Sequence, residues 1–251
     1  MRMRLIISLI LLAAAAFASQ SAMQYYQQGN TAMQNNAYEE AIKAYESALA
    51  TGYESAELYY NLGNAYFRMQ ELGKSILNYE RARALKPADP DIATNLELAQ
   101  LRVVDKIAAP PALFTARIWT AVKQVLSVGQ WGVLALILFN LLIAAVIVRL
   151  LVSHSGVRAV AGYLFIPLLV LFLVAGTLYW ATAREAKNVR FGIIMPHKVS
   201  VLSAPASDAT QAFDLHEGTR VRIAEPSGAY VKVILLDGKV GWMTRDGVEE
   251  I

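Results

Sequence analysis

The sequence predicts a multi-domain membrane protein: an all-α repeat stack, then a two-helix transmembrane hairpin, then a small all-β barrel. Three observations predict it. A pattern recurs after thirty-four residues near the start, two long apolar stretches lie in the middle, and the hydrophobic period changes to two near residue 190. The 251 residues are 56% apolar, above the roughly 45–50% of soluble domains, and the two stretches account for the surplus.

The opening segment MRMRLIISLILLAAAAFASQ combines two arginines, an apolar run from Leu5 and the small-residue site Ala16-Phe17-Ala18. It reads as a secretory signal over residues 1–18 and would direct the repeats out of the cytoplasm. Those repeats occupy residues 19–104. Aligning Gly29 with Gly63 also aligns Tyr25 with Tyr59, Ala41 with Ser75, Ile42 with Ile76, Tyr45 with Tyr79 and Ala48 with Ala82. Gly63 and the small Ser75 leave room for two helices to approach closely, and Leu62, Tyr66 and Tyr79 fill the space around them. Pro87 cannot continue a helix and so ends the unit.

On these residues the segment resembles the tetratricopeptide repeat, in which two antiparallel helices form a unit and units stack. The repeats are read as 22–55 and 56–89. The first departs from the pattern at Gln28, Ala32 and Tyr53. Residues 90–104 read as one more first-type helix, with Leu96 where Leu62 stood, and are expected to cap the stack.

Residues 105–128 read as a linker and an amphipathic helix. Ala109-Pro110-Pro111 makes a stiff joint, and Phe114, Ile118, Ala121, Val122 and Val125 recur at helical spacing away from Arg117, Lys123 and Gln124. That helix is suited either to the headgroup layer or to packing on the repeats.

Transmembrane helices are expected at 129–152 and 159–182, each long enough to cross about 30 Å of hydrocarbon. The short link between them forces a hairpin whose outer ends share one face, marked by Trp131, Tyr179 and Trp180. Arg149 and Arg158 bracket the turn and agree with a cytoplasmic position for it. Asn140 lies inside the first span, where a hydrogen bond across the hairpin is expected, and no ionisable residue accompanies it to form a relay.

From residue 190 to 251 apolar residues alternate, as at Val199 and Val201, Val221 and Ile223, and Val231, Val233 and Leu235. Asp237-Gly238 is expected to form a type I′ hairpin turn. Phe213, Leu215, Gly218, Gly241 and Trp242 stand where a bacterial SH3-like domain carries its Phe-x-Leu-x-x-Gly segment and Gly-Trp pair, so this part resembles that barrel. Phe213 and Trp242 are expected in its core.

No motif for catalysis, metal or phosphate binding occurs, cysteine is absent and the three histidines are scattered, so neither an enzyme nor a cofactor is expected. The net charge of +3 is not gathered into a phosphate-tracking stripe, and no nucleic-acid partner is expected. A better surface is the groove that first-type helices line in repeat stacks. By alignment it carries Tyr26, Asn30 and Met33 from one unit and Tyr60, Asn64, Phe67 and Arg68 from the next. Asn30 and Asn64 are expected to hold a peptide backbone while the aromatics supply contact area.

The order of signal, repeats, hairpin and SH3-like tail resembles the BatE-type proteins of bacterial aerotolerance operons. That resemblance implies a protein of the bacterial inner membrane, and the signal, the hairpin and the repeats together give the expectation of a non-enzymatic scaffold with both globular parts in the periplasm. It implies von Willebrand factor A-type membrane proteins and a MoxR-type ATPase as partners. The alternative is a peptidoglycan-binding protein acting through the SH3-like part.

Overall fold

In the computed structural model, residues 20–251 are described apart from 109 and 112, so the signal expected over residues 1–18 lies outside the described residues. The described residues up to Pro110 form one compact unit together with Arg190–Ile251, and Pro111–Val189 form a second.

The first unit begins with five helices: α1 (20–34), α2 (Tyr38–Ala50), α3 (Ala56–Arg68), α4 (Leu72–Leu85) and α5 (Pro90–Gln100). Their ends follow local chemistry. The Ser55 hydroxyl accepts from the Leu58 N–H at the start of α3, and the Asp89 carboxylate accepts from the Asp91 and Ile92 N–H groups ahead of α5, whose first residue is Pro90. The turns after α1 and α3 place Asn36 (φ 59°) and Gln70 (φ 65°) in the left-handed region, thirty-four residues apart. The repeat is therefore duplicated down to its backbone conformation.

Gly29 and Gly63 hold the same close approach in both copies. A Cβ on Gly63 would come within 2.7 Å of the Tyr79 ring, and one on Gly29 within 2.4 Å of the Tyr45 ring. Side chains of that size would force the helix pairs apart. Ser75 adds a hydrogen bond from its hydroxyl to the Gly63 carbonyl at 2.9 Å.

The other half of this unit is one antiparallel sheet: β1 (Arg190–Ile194), β2 (Lys198–Leu202), β3 (Gln211–His216), β4 (Arg220–Ser227), β5 (Tyr230–Ile234), β6 (Val240–Thr244) and β7 (Val248–Glu250). The strand order is β3-β2-β6-β5-β4-β1-β7, with β3 and β7 at its two edges, so the pairing is open. Even so, Ile194, Val201, Leu215, Val221, Val233 and Met243, from six different strands, meet in one core. Phe213 packs against that core, whereas Trp242 stays half-buried outside it with the Lys232 ammonium 5.9 Å from its ring.

The Asp237-Gly238 turn differs from the type I′ expectation. Only Gly238 takes a positive φ, of 91°, and its N–H donates to the Leu235 carbonyl at 3.1 Å. This is a type I turn followed by a left-handed glycine. The Asp237 carboxylate accepts from the Lys239 N–H at 3.1 Å, which holds Asp237 right-handed and leaves the glycine to reverse the chain.

The repeats and the sheet share a core. Ile76, Leu77, Tyr79, Leu96, Ala99 and Val103 from the helices bury themselves with Ile193 of β1, and Met195 and Ile251 pack against them. Polar groups bracket this seam. Glu217 accepts from the Gly73 N–H at 2.7 Å near the start of α4, where a helix favours a negative charge, and also pairs with His197 at 2.8 Å. Asp105 accepts from the His216 N–H at 2.7 Å and the Thr219 hydroxyl at 2.6 Å, and meets the His216 ring at 2.8 Å. Glu80, almost wholly buried, lies between Arg83 and Arg220.

The second unit holds α6 (Phe114–Lys123), α7 (Val128–Leu151) and α8 (Ser155–Asn188). Only Val152, Ser153 and His154 separate α7 from α8, which continue to 24 and 34 residues. Both are long and apolar enough to cross a membrane. Trp131 and Leu138 pack on Ala175 and Leu178, and Phe139 lies 5.7 Å from Phe172. Asn140 does not bond across this pair. Its Nδ2 donates to the Leu136 carbonyl of its own helix at 2.8 Å, which satisfies one amide hydrogen locally.

Candidate functional site

The face formed by α1, α3 and α5 carries one hydrogen-bond cluster in two copies. In the first, the Tyr45 hydroxyl donates to Asn30 Oδ1 at 2.8 Å, and Asn61 Nδ2 donates to the same oxygen at 3.1 Å and to the Tyr26 hydroxyl at 3.2 Å. In the second, the Tyr79 hydroxyl donates to Asn64 Oδ1 at 2.7 Å, and Asn95 Nδ2 donates to that oxygen and to the Tyr60 hydroxyl, each at 2.9 Å. Every member has its counterpart thirty-four residues away. The ring pairs Tyr26–Tyr45 and Tyr60–Tyr79 match as well, with centroids 6.0 Å apart in both. Burial pushes the Tyr79 hydroxyl up to about 12 and raises that of Tyr45, so both stay protonated donors.

This arrangement places the candidate groove residues unequally. Tyr26, Asn30 and Tyr60 serve the contacts between successive helices, and the carbonyl oxygens of Asn30 and Asn64 are each taken by two internal donors. The two asparagines are therefore not a pair of free amides. Each copy leaves one amide donor and one acceptor out of this cluster: Asn30 Nδ2 and Asn61 Oδ1 in the first, Asn64 Nδ2 and Asn95 Oδ1 in the second.

Met33, Asn64, Phe67 and Arg68 do come together, along a groove of about 390 Å³ closed by Tyr79, Asn95 and Leu98. Arg102 covers one side of Phe67, its guanidinium carbon 4.2 Å from the ring centroid, and Arg68 is exposed. The groove thus joins an apolar wall, an amide donor and acceptor, and a cationic end. Asn95 and Leu98 are absent from the residues that the repeat alignment selects, because helical period marks α5 as a cap. A signal for them does exist: Asn95 stands thirty-four residues after Asn61, in the register that pairs Leu96 with Leu62.

The seam histidines offer no comparable chemistry. His216 and His197 are each bound to a carboxylate that also holds a neighbouring N–H, and no group of three or more metal-ligating side chains of the His, Cys, Asp and Glu types occurs among the described residues.

A comparison with curated proteins returned no match. Residues 26–90 match the family model of the tetratricopeptide repeat, a non-catalytic fold that holds other proteins.

Proposed function

We propose that this chain is a membrane-held, non-enzymatic adaptor that captures a segment of another protein in the groove between Met33, Asn64, Phe67, Arg68, Asn95 and Leu98. The observation that carries the reading is the groove itself, in which Met33, Phe67, Leu98 and Arg68 surround the amides of Asn64 and Asn95 on a tetratricopeptide face. An extended segment would give its backbone carbonyl to Asn64 and its N–H to Asn95, seat an apolar side chain against Met33, Phe67 and Leu98, and turn a carboxylate toward Arg68.

The two long apolar helices would anchor the adaptor. The chain before and after them builds one compact unit, which supports an even number of crossings and a single compartment for that unit. The signal-like start and the BatE-type resemblance favour the periplasmic side of an inner membrane, with von Willebrand factor A-type membrane proteins and a MoxR-type ATPase system as the first partners to examine.

A photo-crosslinking residue at Leu98, which is 50% exposed, tests capture in intact cells. Discrete adducts are expected there, lost on adding Arg68→Glu, and absent from a probe at the exposed Lys43 on α2. Adducts unchanged by Arg68→Glu, or equal at both positions, rule the groove out. Because the chain lacks cysteine, Ser155→Cys and Ser207→Cys report sidedness without background. Labelling of both by an impermeant reagent in intact spheroplasts contradicts the hairpin.

A further inference from the structure

The amphipathic helix α6 is not absorbed by the adaptor reading. None of its residues is buried, and Phe114 and Trp119 are 75% and 47% exposed. At 100° per residue, Phe114, Ile118, Ala121 and Val122 fall on one arc with Trp119 at its edge, while Ala116, Arg117, Thr120 and Lys123 fall on the other.

Two contacts fix where this helix ends. The Trp131 indole N–H donates to the Lys123 carbonyl at 3.3 Å, and the Lys123 ammonium pairs with Glu185. Trp131 lies in the first turn of α7, and Glu185 lies just past Trp180 and Arg184 on α8. The C-terminal end of α6 is therefore tied to the same end of both apolar helices, at the level where tryptophans and cations mark the edge of a hydrocarbon layer. Only residues 124–127 join it to α7, too short a link to carry it far from that level.

Charge points the same way. From Lys106 to Arg184 there is no acidic side chain, so the polar arc of α6 offers Arg117 to an anionic surface, while Lys123 is held by Glu185. The adjoining helix α7 likewise exposes large apolar side chains, among them Val133, Leu136 and Ile137.

From these contacts we infer that α6 lies in the headgroup layer of the membrane that the hairpin crosses, with Phe114, Ile118, Trp119 and Val122 among the acyl chains and Arg117 at the phosphates. The occupant of this face is a lipid surface. The inference rests on the membrane reading of α7 and α8 and adds a third, in-plane anchor immediately before them.

The test places single nitroxide labels, through cysteine, at Ile118, Val122, Ala116 and Thr120 of the full chain in vesicles of phosphatidylethanolamine and phosphatidylglycerol. Collision with oxygen and with a water-soluble nickel chelate is measured at each. Labels at 118 and 122 are expected to show an oxygen-to-nickel collision ratio several-fold above those at 116 and 120. Aqueous values at all four, or exclusion of both reagents from 118 and 122, overturn the inference. A label at Leu141, exposed in the middle of α7, separates the two failures. If it meets lipid while 118 and 122 meet water, only the placement of α6 is wrong; if it meets water, the hairpin reading falls and takes this one with it.

Discussion

Asp105 stands immediately past the last residue that helical period assigns to the repeats, yet it is the most heavily engaged carboxylate of the seam. Burial opposes its ionisation, but hydrogen bonds from Thr219 and from the His216 side chain and N–H outweigh that and hold its carboxyl below the usual range. A depressed folded-state value means that the unfolded chain takes up the proton first as pH falls. The stabilisation is complete above the unfolded value, near about pH 4, and is lost as acid titrates the folded carboxylate below it. Asp105→Asn should therefore lower the urea midpoint by a similar amount from about pH 5 upward, with the difference shrinking in acid. A difference that stayed constant down to about pH 2.5 would mean that Asp105 acts through its shape alone. Nothing in a sequence of isolated periods marks this residue, because its partners lie more than a hundred positions away.

The two second-type helices differ where the sheet touches one of them. On α2 Glu39 and Lys43 are exposed; at the same repeat positions α4 has Gly73 and Leu77, both buried. A Cβ on Gly73 would reach 3.0 Å from the Ile194 carbonyl and from Glu217, so a side chain there would press on both. Leu77, 2% exposed, belongs to the core shared with Ile193. Departures from the repeat thus mark the docking face, a signal present in the thirty-four-residue alignment although the alignment does not say which partner docks. Leu77→Ala should cost about 2–4 kcal/mol in chemical denaturation, and Leu77→Lys, which restores the residue of the first repeat, more. Lys43→Ala on α2 should cost less than about 0.5 kcal/mol. Equal effects at 43 and 77 would show that the sheet does not lean on α4. The same logic explains α5: its Leu96 serves the core, while Asn95 and Leu98 on its other side complete the groove.

At the scale of the molecule, the repeats and the sheet flank the hairpin in sequence but make one body, with an ion pair from Arg81 to Glu249 at 3.2 Å adding to the shared core. Each part exposes Ile76, Leu77 or Ile193 if the other is taken away. A protease site inserted at residue 112 and cut in detergent should leave the two fragments co-migrating and the melting temperature close to that of the uncut chain. Residues 190–251 expressed alone should instead bind a hydrophobic dye and unfold with little cooperativity. Fragments that part freely on cutting would show that the seam contributes little. The sequence by itself determined the repeat register, the two apolar helices and the alternating strands, because each is a local pattern set by helix pitch, an uninterrupted apolar run or strand pleat. It also named four of the residues that line the groove. Tertiary structure alone decided that Asn30 and Asn64 give their carbonyls to tyrosines, that Asn140 bonds within its own helix, that Gly238 takes the only left-handed position of its turn, and that helices and sheet share a core. Those outcomes depend on which distant groups compete for a given hydrogen bond or apolar face, and no period along the chain records that competition.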